Sequence, residues 1–173
     1  MMDDYIIPFY GLKEGEHEYT FVAENLFFEH FGNPEFPGGN LNVDLVLFKR
    51  HGFMELKFHI TGGIKVYCDR CLELFEHPVG TENVLYVRFG EDFEELSDEI
   101  IILPFEESRL NIAQYIYEFV VLSLPVKKVH PPLPDGNPAC NEEMIKKLSQ
   151  HQARDEKKTD PRWDALKNLK NNN

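Results

Sequence analysis

The chain has 173 residues, 42% of them hydrophobic, which is enough to bury a core without disulfide staples. Its formal charge of −12 excludes the broad phosphate affinity of a basic nucleic-acid protein, and no apolar run approaches the ~18 residues needed to span a bilayer. Three cysteines, an odd count, argue for free thiols or metal ligation and against structural disulfides. The opening MMDDYIIPFYGL is acidic where a secretory leader would be basic, so the expected location is cytoplasmic. The charge is also uneven. Residues 145–173 hold eight Lys or Arg against four Asp or Glu, which makes this stretch +4 and leaves −16 on everything before it.

In chain order, HEYTFVA (17–23) reads as a strand and LFFEHF (26–31) as a strand or short helix. LNVDLVLFKR (41–50) is a further strand, HGF a break, and FMELKFHI (53–60) alternates with Met54, Leu56, Phe58 and Ile60 on one face. The Gly62-Gly63 pair predicts a tight turn into GIKVYCDR, making a hairpin whose outgoing strand carries Cys68. CLELFEHPVG continues extended, and TENVLYVRF (81–89) supplies another strand. Residues 91–107 contain eight carboxylates and no Lys or Arg, the composition of an exposed linker, with EIIIL (99–103) embedded as a short strand or a segment packed against the sheet.

The long helix is NIAQYIYEFVVLSL. Asn111 is the expected N-cap, with Gln114 returning the hydrogen bond and Leu110 stapled onto Tyr115. Ile112, Ile116, Phe119, Val120 and Ser123 form its core face, and it should stop before Pro125. PVKKVHPPLPDGNPAC is an irregular loop. NEEMIKKLSQHQ predicts a short helix capped by Asn141, and DPRWDALKNLK a last one, with Asp160 as cap and Pro161 at its first position. Trp163, Leu166 and Leu169 give that last helix an apolar stripe flanked by Arg162, Lys167 and Lys170. The expected class is therefore α+β: a curved antiparallel sheet of about six strands, open or partly closed into a barrel, covered by one long helix, with short C-terminal helices. Residues 1–145 would form one domain and 146–173 a basic helical tail.

Chemistry concentrates at VYCDRCLELF, residues 66–75. Two thiolates in a CxxC spacing at a strand end can occupy two corners of a tetrahedron, which is half a zinc site. Cys140 and His130, ten residues apart in the Pro-rich loop, are the candidates to complete it. Cys68, Cys71, His130 and Cys140 would then form a structural Cys3His site tying that loop to the hairpin. Two other readings stay open: a redox pair, although both flanks look extended where a thioredoxin-like pair sits at a helix N-terminus, and three inert packed thiols. Arg70, between the cysteines, is a candidate phosphate contact or simply neutralises the nearby thiolates or Glu73, and Lys49, Arg50, Lys65 and Arg88 would join it in a basic spot if they shared a face. His51, His59 and His77 are scattered, and their bland reading is structural. No nucleophile elbow, Walker loop, HExxH or dinucleotide fingerprint is present, and the carboxylates form a charge run without catalytic pairing.

Together these blocks resemble the YceD-like proteins, bacterial and plastid proteins implicated in accumulation of large-subunit ribosomal RNA. The matching residues are Cys68, Arg70, Cys71 and Leu72, then Leu124, Pro125, Val129, His130 and Cys140, then Asp160, Pro161 and Arg162. The resemblance implies a non-enzymatic ribosome-biogenesis factor supporting processing or accumulation of 23S-type RNA. Its partners would be ribosomal RNA or a pre-ribosomal particle and ribosomal proteins, with no membrane and no small-molecule substrate. Arg70, Arg162, Trp163, Lys167 and Lys170 are the expected RNA or partner contacts. Two alternatives are a zinc-dependent nuclease or other hydrolase built on the same cysteines, and an adaptor whose acidic segment 91–107 docks a basic protein.

Overall fold

Period-two burial organises the first part of the chain, and it runs further along each strand than turn chemistry alone predicts. In the computed structural model, residues 2–133, 136 and 139–151 are described. They fall in two compact units, 1–140 and 141–173. In the first, a single 3-10 turn leads into β1 (Ile6–Pro8), followed by β2 (Gly15–Ala23), α1 (Asn25–Phe31), β3 (Gly38–Arg50), β4 (Phe53–Tyr67) and β5 (Leu74–Gly90). Then come β6 (Glu94–Ser97), β7 (Ile100–Pro104), β8 (Arg109–Asn111) and α2 (Ala113–Ser123). β1 and β8 pair antiparallel, and the other strands form one six-stranded sheet in the order β2-β3-β4-β5-β7-β6. Among the described residues β2 and β6 are its edges, so the sheet is open. The α+β class stands as expected.

Gly62 and Gly63 do not turn the chain. They lie inside β4, a 15-residue strand paired on both sides, Gly62 with Leu41 and Val79, Gly63 with Asn40 and Pro78. Here glycine permits close approach: Gly62 has φ +139°, and a Cβ on it would collide with the Asn40 carbonyl. Likewise β5 is one 17-residue strand, not two. The hairpin between β4 and β5 turns at the cysteines instead.

The acidic stretch is a pair of strands and not a linker. β6 carries only exposed residues and pairs antiparallel with β7, which runs parallel to β5. The sheet is therefore mixed where an antiparallel one was expected. Ile101 and Leu103 of β7 are buried, so this strand takes the inner place and charged β6 is left at the edge.

The inner face is apolar throughout. Leu41, Val43, Leu45 and Leu47 of β3 face the core beside Met54, Leu56, Phe58 and Ile60 of β4 and Leu85 and Val87 of β5. Helix α2 buries Ile116, Phe119 and Val120 there, with Phe119 edge-on to Phe58 at 5.2 Å. α1, the helical choice for residues 26–31, stacks Phe31 on Tyr117 of α2 at 4.0 Å. The cap of α2 differs from expectation. Asn111 ends β8, and its Oδ1 accepts the Ala113 N–H from there, while Gln114 donates to Glu118 and Leu110 pairs with Ile7. Ser123 is exposed and turns its hydroxyl back to the Val120 carbonyl. In the second unit α3 (Glu142–His151) forms as expected, with Asn141 Oδ1 accepting the Glu143 and Met144 N–H groups. The predicted helix beginning at Asp160 lies outside the described residues.

Candidate metal centre

The inward phase of β4 does not stop at the sheet core. Ile64 and Val66 continue the even-numbered buried row, and Cys68 is the next position in it, fully buried. The chain then turns within six residues. Cys68 N–H donates to the Glu73 carbonyl at 2.9 Å and Leu72 N–H to the Cys68 carbonyl at 2.9 Å. Leu72 makes this possible by adopting φ 60°, the one described non-glycine residue with positive φ. The turn brings Cys71 back beside Cys68, also buried.

His130 and Cys140 arrive from the other side. Asp69 reaches out of the turn to accept the Lys128 N–H on its Oδ2 at 2.5 Å, and its own N–H donates to the Lys128 carbonyl at 2.7 Å. This two-way clamp fixes the loop two residues before His130, whose ring packs on Phe75 of β5 at 4.5 Å. Lys128 is held from its other end as well, with Nζ 3.8 Å from a Glu35 carboxylate oxygen and 5.8 Å from the centre of the Phe36 ring.

The four side chains converge. Cys68 Sγ lies 3.7 Å from Cys140 Sγ, Cys71 Sγ 3.4 Å from His130 Nδ1, and Cys140 Sγ 3.7 Å from His130 Nδ1. One ligand atom from each residue falls within 4.8 Å of all the others. Tetrahedral zinc with ordinary Zn–S and Zn–N bonds sets its ligands about 3.8 Å apart for two sulfurs and about 3.6 Å apart for sulfur and nitrogen. These three contacts lie close to those edges, so the donor set fits zinc in both chemistry and spacing.

The electrostatics are arranged for thiolate. Burial alone would raise the Cys68 thiol, but backbone N–H groups of Cys71, Arg70 and His130, with the Cys71 side chain, outweigh it and draw the group from 9.0 down to about 6. Cys140 goes the other way. Burial, reinforced by the Cys68 and Cys71 sulfurs, pushes it up to about 11. A cation placed among the sulfurs would remove that mutual repulsion.

The remaining candidates separate. Arg70 is exposed in the turn. Lys49 is turned inward, with its Nζ donating to the carbonyls of Phe9, Tyr10 and Leu12, and Lys65 contacts Asn25 at 3.4 Å. Arg50 and Arg88 do share a face, at the far end of β4 from the cysteines. His59 faces Glu82 at 3.4 Å, and His77 contacts the Pro78 carbonyl. Arg162, Trp163, Lys167 and Lys170 lie outside the described residues. Asp69, the Lys128 backbone and Phe75 escaped the sequence reading. An Asp in a turn does signal a side chain bonding backbone, but a partner 59 residues away leaves no local trace.

No helix among the described residues is long and apolar enough to cross a membrane. No curated protein and no solved structure gives a significant match. One family does match, over residues 56–170, and its description is large ribosomal RNA subunit accumulation protein YceD.

Proposed function

Because the chain belongs to the YceD family, we propose that it is a non-enzymatic factor supporting processing or accumulation of the large-subunit ribosomal RNA, organised around a structural zinc. The observation that carries the zinc half is the four-residue cluster. Cys68, Cys71, His130 and Cys140 would occupy all four corners, three of them buried, and a closed site of this kind has no open position for water or substrate. That favours a clip over a zinc hydrolase, whose metal needs an open corner. The clip would hold the 125–140 loop against the hairpin and keep Arg70 presented at the turn. Arg70 and the tail residues Arg162, Trp163, Lys167 and Lys170 would contact RNA or ribosomal protein, while the acidic body limits unspecific RNA binding.

The test is complementation in cells lacking the protein, with large-subunit RNA measured against small-subunit RNA. The full chain should restore the ratio, and Cys140→Ser should restore it poorly while losing about one zinc per chain by elemental analysis. A ratio indifferent to loss of the protein would refute the function. Absence of metal from chain purified without chelator would refute the clip.

A further inference from the structure

We propose that the outer face of the sheet at the β3–β4 turn binds unpaired nucleotides of a single-stranded RNA, with bases on Phe53 and Tyr86 and phosphates on Arg88 and Arg50. The proposal rests on the biogenesis reading above and names a contact surface for it, far along β4 from the metal centre.

Register alone builds the surface. Arg50 pairs with Phe53 and Phe53 with Arg88, so these three stand side by side across three strands. In the neighbouring row of the same face, Phe48 pairs with Glu55, Glu55 with Tyr86, and Tyr86 with Ile100. The face is solvent-directed, since the buried residues of β4 are the alternate ones. A groove of about 650 Å³ lies at this end of the sheet, lined by His51, Phe53, Tyr86, Arg88 and Ile100, with Phe89 of the opposite face at its rim.

Among the described residues no carboxylate lies within 4.0 Å of Arg50 or Arg88, although the body carries a large acidic excess. Arg50 instead lies 5.9 Å from the centre of the Phe53 ring. Carboxylates stand in both rows, with Glu16 paired to Phe48 and Glu94 paired to Ile102, the β7 partner of Arg88. Glu55 is engaged by Lys57 at 3.4 Å, and Glu14 stands 3.9 Å from His51. Partly exposed aromatic rings interleaved with unneutralised arginines are the combination that stacks bases and meets phosphates, whereas an apolar protein surface would find two charges to desolvate here. The acidic surroundings confine a strand to this end of the sheet.

The experiment is a fluorescence-anisotropy titration of the full chain with a labelled mixed-sequence single-stranded RNA octamer at two salt concentrations, with photo-crosslinking to map the contact. Tyr86→Ala should weaken binding ~5-fold or more while Tyr86→Phe does not, as expected for stacking. Arg88→Gln should lower the salt slope by about 0.7, one phosphate's worth on a single strand. Crosslinks should fall on peptides holding residues 51–53 or 86–88, a readout independent of any variant's folding. Free nucleoside monophosphates competing as well as the octamer, or an acidic peptide displacing it, would overturn the strand as occupant. Binding unchanged in all variants with no crosslink here, in a chain that still restores ribosomal RNA, would overturn this inference alone. Binding through these residues in a chain without effect on ribosomal RNA would uphold the surface and remove the biogenesis reading.

Discussion

Asp69 carries no bond to the proposed metal, yet it sets where one metal-facing residue stands. Its backbone and carboxylate each bond the Lys128 peptide, and His130 is only two residues further on. Outer residues that orient a ligand typically govern affinity by 10–100-fold. Asp69→Ala is therefore expected to lower zinc affinity by roughly that factor in a chelator competition, with the sheet still folded by circular dichroism. Cys68 supplies the pH dependence. Its thiol falls from 9.0 in the free chain to about 6 when folded, so its stabilising contribution is complete above pH 9 and is lost as pH falls through about 6. Protons compete with zinc for the Cys68 sulfur in that lower range and for Cys140, pushed up to about 11, already at neutral pH, so release to a chromogenic chelator should be measurable at pH 7 and rise further as pH falls through about 6. Release at a constant rate from pH 8 to pH 5 would contradict this. The CxxC spacing and the two downstream candidates, His130 and Cys140, could be picked out from the chain, because zinc chemistry restricts ligand type and pair spacing, and the fold brings the four together. Asp69 could not, because its partner is set by a contact 59 residues away.

At the scale of elements, glycine shows how the same residue supports two opposite readings. A Gly-Gly pair between alternating stretches is a hairpin signal, but in β4 it relieves crowding between paired strands. Gly62→Ala would place a Cβ against the Asn40 carbonyl at a φ of +139°, where side chains rarely sit. The expected cost is about 2 kcal/mol or more in urea unfolding, from strain in a region that is almost exclusively glycine's. An equal change at Gly80, whose Cβ would meet nothing within 4 Å, should be much milder. The inward phase of β4 was legible from Met54 to Ile60, and it is the same phase that delivers Cys68 to the core side. β7 was legible in EIIIL, but β6 was not, because carboxylates dominate its composition and it forms only by pairing with β7, whose Ile101 and Leu103 are buried.

For the whole molecule, the candidate metal site lies at the margin of the main core, joined to it through Val66 and Phe75. The cluster around Phe28, Phe58, Leu85 and Ile116 contains none of the three cysteines. Stripping the metal should therefore leave β3, β4 and β5 folded while the 125–133 segment loses its anchor. Amide hydrogen exchange on chelator-treated protein is expected to accelerate there and in the Cys68–Glu73 turn, with the central strands still protected. Loss of protection across the sheet as well would mean that the clip is part of the folding nucleus. The acidic excess before residue 145 and the basic tail act at longer range, through salt-dependent attraction and repulsion.

Local physics settled much of this protein. Alternation specified β2, β3 and the first half of β4, helical periodicity specified α2, and ligand chemistry made Cys68, Cys71, His130 and Cys140 the candidates. These features depend on residues close together, or on atom types so few that their pairing is nearly forced. Long-range packing settled the rest: the continuity of β4 through Gly62, the parallel entry of β7, the Asp69 clamp, and the row Arg50–Phe53–Arg88. Each of those depends on which strand lies beside which, and at what register. That choice is made by burying one apolar face across segments far apart in the chain, so no local window contains it.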